Sequence, residues 1–164
     1  MKRISHLMLA LLAAAVLSAC DNAKTEIEQA ARGYLDALGN YRIADARPYA
    51  TEQTCEVTLT FFDTLMAHTD PQAYADNIPA EITINGVTMT SDSTATVAFH
   101  KSTPSIQQDG SVEMVKVDGR WLVDQVIDIP PMFRTMLAGD SAAGPRTFTD
   151  DELRQMRENR DAAQ

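Results

Sequence analysis

From Thr25 onward, apolar residues recur at helical spacing: Ile27, Ala30, Ala31, Tyr34, Leu35 and Leu38, before Gly39 stops the run. Thr25 followed by Glu28 has the form of a capping box, so the pattern predicts an amphipathic helix starting there. A short helix near Asp45 to Ala50 is expected next. Cys55, Leu59, Phe62 and Met66, joined by Val57, Phe61 and Leu65, predict a third helix that is apolar over much of its circumference. Such a helix is enclosed on more than one side. Asp70-Pro71 reads as an N-cap with proline at the first helical position, which predicts one further turn over 72–76.

The period then changes from helical to alternating. Ile82 and Ile84 alternate with polar neighbours, Asn85-Gly86 breaks the phase, and Val87 and Met89 resume it, which predicts a long strand with a bulge. Ser91-Asp92-Ser93 turns the chain into a second strand, with Ala95, Val97 and Phe99 on one face and Thr94, Thr96 and His100 on the other. A third strand, Ser111 to Val117, meets a fourth, Trp121 to Ile127, across Asp118-Gly119, a dipeptide suited to a two-residue hairpin. In that fourth strand Trp121, Val123 and Ile127 are expected to face the helices, leaving Leu122, Asp124 and Val126 outside. Helices followed by antiparallel hairpins define an α+β domain over residues 25–128, with a sheet of about four strands.

Residues 129–164 have a different character. Pro130-Pro131 ends the sheet, Met132, Phe133, Met136 and Leu137 form a short apolar stripe, and Gly139 to Pro145 reads as a linker. A charged terminal helix follows, with Thr149 and Glu152 as a capping box, Phe148 and Leu153 at the spacing of a hydrophobic staple, and Arg154, Arg157 and Arg160 close together. The expected reading of this tail is a solvated helix; its arginines could also lie on the acidic body, on a neighbour or on anionic lipid.

Residues 1–19 read as a leader. Lys2 and Arg3 precede an uncharged stretch from Leu7 to Leu17, too short to cross a bilayer core of about 30 Å as a stable helix. Leu17-Ser18-Ala19-Cys20 resembles the lipobox of bacterial lipoproteins. That resemblance implies cleavage before Cys20, diacylglycerol on its thiol, and a tether over residues 20–24. Each buried methylene contributes about 0.8 kcal/mol, so three acyl chains hold where one does not. Asp21 resembles the inner-membrane retention signal of enterobacterial lipoproteins, so the expected address is the periplasmic side of the inner membrane, with the outer membrane as the alternative. Cys55 is then the lone thiol, expected to be buried and structural.

Charge removes one class of partner. The chain has 164 residues and a net charge of −9, and losing Lys2 and Arg3 with the leader takes this to −11. Residues 21–128 carry 7 basic and 17 acidic side chains. Such a body repels phosphate backbones, so no nucleic-acid partner is expected. Two cysteines supply neither a disulfide framework nor a cysteine-rich zinc site.

The segments Ala30-Ala31-Arg32-Gly33-Tyr34-Leu35-Asp36-Ala37-Leu38, Ser93-Thr94-Ala95-Thr96-Val97-Ala98-Phe99 and Val115-Lys116-Val117-Asp118-Gly119-Arg120-Trp121-Leu122-Val123-Asp124 resemble the lipoprotein branch of the nuclear transport factor two-like superfamily, also called cystatin-like. The resemblance spans about residues 24–128 and implies a cone of helices against a curved sheet. The mouth of such a cone often accepts a small molecule, and its outer face frequently dimerises. Enzymes of the superfamily, isomerases and cyclases among them, place an acid–base carboxylate among apolar walls with a tyrosine as hydrogen-bond donor.

Carried onto this chain, the resemblance gives Tyr34, Phe62, Met66, Phe99 and Trp121 as walls of a pocket for a small apolar or amphipathic ligand. The same side chains are ordinary core stuffing, and a filled cone is the commoner arrangement. Asp124 is the one carboxylate set in a strand and so a weak catalytic candidate, with its outward phase against it. Asp63, His68 and Asp70 lie near one another in sequence, but neither His68 nor His100 has a defined ligand partner, so no metal and no cofactor is expected. Leu122, Val126 and the stripe Met132, Phe133, Met136 and Leu137 are the candidate surface for a homodimer or protein partner. The leading expectation is a non-enzymatic, membrane-tethered binding or interaction module. A small isomerase or cyclase is the alternative.

Overall fold

The computed structural model describes residues 22–129, 133 and 149–162. The first helix, α1, occupies 22–39. It is already helical at Asn22, so Thr25 stands inside it and residues 22–24 are helical. Its buried stripe is Ile27, Ala31, Tyr34, Leu35 and Ala37. A turn with Tyr41 at φ 58° leads to α2, Ile43–Ala46, and a 3-10 turn, Arg47–Tyr49.

Helix α3 is one continuous run made of Glu52–Thr54, a π turn over Cys55–Leu59, and Thr60–His68. It is enclosed as the apolar circumference predicts, with Leu59 and Met66 out of contact with solvent. Thr54, Thr58 and Asp63 are buried with them. Asp70 accepts a hydrogen bond from the Gln72 backbone N–H at 3.0 Å and starts a 3-10 segment, Pro71–Asn77, longer than the single turn expected.

Four strands, β1 Glu81–Met89, β2 Thr94–Ser102, β3 Gln107–Val117 and β4 Arg120–Val123, pair in sequence order as an antiparallel meander. The register of β1 on β2 shifts between Ile84 and Gly86, at the expected bulge. Asp118 and Gly119, at φ 50° and 81°, close the β3–β4 hairpin with both central residues left-handed, as a two-residue turn matched to strand twist requires.

Two strand limits differ from expectation. β3 begins at Gln107 because the polar run 107–110 completes the ladder to Phe99 through Ser102. β4 ends at Val123; the Asp124 N–H still donates to the Glu113 carbonyl of β3 at 2.8 Å, and residues 125–127 then leave the ladder and are taken over by α3. The Thr54 hydroxyl accepts from the Gln125 N–H at 2.9 Å and donates to the Val123 carbonyl at 3.2 Å. The Thr58 hydroxyl donates to the Gln125 carbonyl at 2.7 Å and accepts from the Ile127 N–H at 3.2 Å. Two buried threonines thus satisfy backbone groups that would otherwise need a strand neighbour.

The helices lie on the face of the sheet formed by Ile82, Val97, Val112, Met114, Trp121 and Val123, all within the core. The terminal helix α4, Asp150–Ala162, starts with the expected capping box: Thr149 N–H donates to Glu152 Oε2 at 2.8 Å, and Glu152 N–H to Thr149 Oγ1 at 3.2 Å. Leu153 is buried beside Ile78 and Pro79, which docks this helix on the 3-10 segment and departs from a wholly solvated tail. Arg154 pairs with Asp151 at 2.7 Å on its own helix. The side chains of Arg157 and Arg160, and Phe148 of the expected staple, lie outside the described residues, as do the leader, Cys20 and Asp21.

Candidate functional site

Because β1, β2 and β3 continue past the end of β4, their inner face forms rows that no fourth strand covers. One row is Ile82 on β1, Lys101 on β2 and Gln108 on β3, which are direct cross-strand partners. The next pairs Phe99 with Gly110, and the next Val97 with Val112. Helix α1 crosses above them with Tyr34, Leu35 and Leu38, α3 contributes Thr58 and Phe62, and the pinned segment supplies Gln125 and Ile127. Between them lies a half-open cavity of about 500 Å³. That size falls within the range of small-molecule sites.

Gly110 shapes the floor. A Cβ at this position would stand 2.7 Å from the Phe99 ring, so the ring can lie across β3 only because the side chain there is a hydrogen. Tyr34 lines the cavity, and its hydroxyl makes no hydrogen bond among the described residues. Burial, reinforced by the nearby Cys55 thiol, raises the Tyr34 phenol pKa above its ordinary value, and burial with neighbouring Tyr74 does the same for Tyr41. Lys101 is half-buried, and loss of hydration lowers its ammonium pKa. No carboxylate lines this cavity among the described residues.

The expected pocket walls divide. Tyr34, Phe62 and Phe99 line the cavity. Met66 and Trp121 do not: both are buried core, and Lys116 sits 5.7 Å above the Trp121 ring. Asp124 is away from the cavity, its carboxylate accepting a hydrogen bond from Thr51 Oγ1 at 2.9 Å. Asp63, His68 and Asp70 do not converge. Asp63 pairs with Arg47, His68 Nδ1 lies 2.8 Å from the Thr64 carbonyl, and Asp70 caps the following turn. Burial raises the Asp63 pKa against the opposing pull of Arg47. His100 lies beside Asp109 at 2.8 Å.

Cys55 is half-buried, its thiol donating to the Arg47 carbonyl at 3.6 Å, and burial raises its pKa. On the outer face Leu122 is half-buried and Val126 is 46% exposed, joined by Val117 at 43%. Phe133 packs edge-on against Phe61 at 5.5 Å, whereas Met132, Met136 and Leu137 lie outside the described residues.

Lys101, Gln108, Gln125 and Thr58 were not among the expected site residues. Lys101 had a signal, since the alternation Val97, Phe99 carries to it at the next step of two. Thr51, Thr54 and Thr58 had one in their helical spacing.

Fold and site together define an α+β domain with helices on one face of a four-stranded antiparallel meander and an accessible cavity between them. No family model and no curated protein matches the chain. Among solved structures it is similar to a crystal structure of an NTF-2 like protein of unknown function from Shewanella oneidensis, 16% identical, with 60% of this chain and 92% of that chain covered and a TM-score of 0.44.

Proposed function

We propose that this chain is a lipid-anchored, periplasm-facing binding module of the nuclear transport factor two-like type, which holds a small apolar or amphipathic molecule in its cavity without transforming it. The cavity carries this reading: its walls are mainly apolar, it opens to solvent, and its titratable lining groups are Tyr34, Tyr41 and Lys101. An acid–base enzyme of the isomerase type needs a carboxylate within hydrogen-bond reach of the substrate, and the described lining offers none for that role. The anchor rests on Leu17-Ser18-Ala19-Cys20 and on the positively charged leader before it. Among the described residues no helix is long and apolar enough to cross a membrane.

Native mass spectrometry of protein taken from membranes tests the ligand. The expected result is a mass above that of the acylated chain, lost on collisional activation; the bare protein mass contradicts the reading. Acyl-chain labelling of wild type against Cys20→Ala tests the anchor. Label confined to wild type supports it, and equal labelling refutes it.

A further inference from the structure

Charge is distributed unevenly between the body and its cavity. Residues 21–128 carry ten more acidic than basic side chains, yet the cavity wall presents one ammonium and, among the described residues, no carboxylate. Of the other basic side chains of the body, Lys24 is exposed at the start of α1, away from the cavity lining, and the rest are engaged. Arg32 donates to the Ile82 carbonyl at 2.7 Å, Arg42 pairs with Asp36 at 2.5 Å, Arg47 pairs with Asp63, and Arg120 donates to the Pro48 carbonyl at 3.0 Å. Lys116 lies over Trp121. The Lys101 ammonium has no hydrogen bond or ion pair among the described residues, although the side chain is half-buried. An ammonium stripped of part of its water and given no protein partner is a group that a bound anion would satisfy.

The geometry points to an amphiphile with a single anionic head group, of the carboxylate class, as the cavity's occupant. The head would sit on Lys101, whose cross-strand partner Gln108 offers an amide on the same row. The tail would run against Phe99, Phe62 and Leu38. One cation matches one negative charge, and the acidic exterior repels anions that lack an apolar tail to hold them. This assignment rests on the cavity reading above and adds the sign and class of the ligand.

The test uses the full acylated chain in lipid nanodiscs, photolabelled at mildly alkaline pH with a diazirine-bearing decanoic acid or the matched decanol, with adducts located by peptide mass spectrometry. The acid should label peptides containing Tyr34, Phe62 and Phe99, and excess decanoate should compete. In Lys101→Met the acid concentration for half-maximal labelling should rise about tenfold, the worth of one charge-assisted contact. The alcohol should label wild type and Lys101→Met alike, which also shows that the variant keeps its cavity, and Lys101→Arg should retain acid labelling. Equal acid labelling of wild type and Lys101→Met overturns the anion assignment and leaves the cavity reading standing. Absence of cavity adducts from either probe overturns both. Should Lys101→Met lose alcohol labelling as well, Lys101→Gln takes its place, with the same two outcomes deciding.

Discussion

The narrow and wide ends of the sheet share three strands and differ in what happens to the fourth. At the narrow end Met114 of β3 faces Val123 of β4, and with Ala95 and Trp121 these side chains are almost entirely excluded from solvent. At the wide end β4 has stopped, and the rows holding Phe99 and Lys101 are covered by α1 and by a segment fastened to α3 through threonine hydroxyls. The first arrangement closes a core, and the second leaves a cavity. The cavity therefore follows from where a strand ends. Large side chains do not prevent it, since Phe62 and Phe99 line it.

The largest effect expected is from undoing that fastening. Thr54→Val with Thr58→Val keeps the shape of both side chains but strips partners from the Gln125 N–H and C=O and the Ile127 N–H, at about 3–4 kcal/mol in total. Thermal unfolding should show Tm falling by more than about 10 °C. A change of less than a few degrees would mean that the 125–127 segment does not depend on these hydroxyls.

Next in size is a truncation at the narrow end. Met114→Ala should cost about 3 kcal/mol in denaturant unfolding, with ligand binding unchanged per folded molecule, whereas half-buried Phe62→Ala at the wide end should cost about 1 kcal/mol and weaken binding. If the two variants swap these signatures, the division between core and cavity is wrong.

A smaller effect belongs to the cavity floor. Gly110→Ala pushes a methyl into the Phe99 ring, at about 1–2 kcal/mol, and the displaced ring narrows the cavity. Stability and ligand affinity should fall together, and an unchanged affinity would place the occupant elsewhere.

The smallest effect is on pH. Burial favours the neutral amine of Lys101, so this group costs stability below its folded-state pKa, and the cost is relieved as pH rises through that value toward the ordinary one. Anion affinity runs the other way: it holds while Lys101 is protonated and falls as pH rises through the lowered pKa. Titration of decanoate binding against pH should show this decline in wild type and not in Lys101→Met. Tyr34 and Tyr41, the other titratable groups on the lining, have pKa values raised by burial, a shift opposite in direction to that of Lys101.

Much of the architecture was legible in the residues. The stripe from Ile27 to Leu38, the bulge at Asn85-Gly86, the hairpin at Asp118-Gly119 and the capping box at Thr149 and Glu152 are local signals, and each matches the element observed. The inward phase of Trp121 and Val123 follows from the same alternation. What was not legible depends on distant partners. Alternation through Ile127 predicts a longer β4 because it reports which side chains turn inward, not which backbone groups pair. The polar start of β3 is set by what β2 presents opposite it. Asn40 is a further case, its side-chain amide bonding both backbone groups of Ala80, at 3.1 and 2.9 Å, across forty residues of chain. For the site, sequence placed Tyr34, Phe62 and Phe99 at a pocket wall and also Met66 and Trp121, because aromatic and methionine side chains look alike whether they fill a core or line a gap.

The measurement that bears most directly on the binding reading is a set of nuclear Overhauser effects between the methylene protons of bound decanoate and the protein. Contacts are expected to the ring protons of Tyr34, Phe62 and Phe99, and none to Val117 or Val126 on the outer face. Contacts confined to the outer face, or none to any ring of the cavity at saturating decanoate, would contradict that reading.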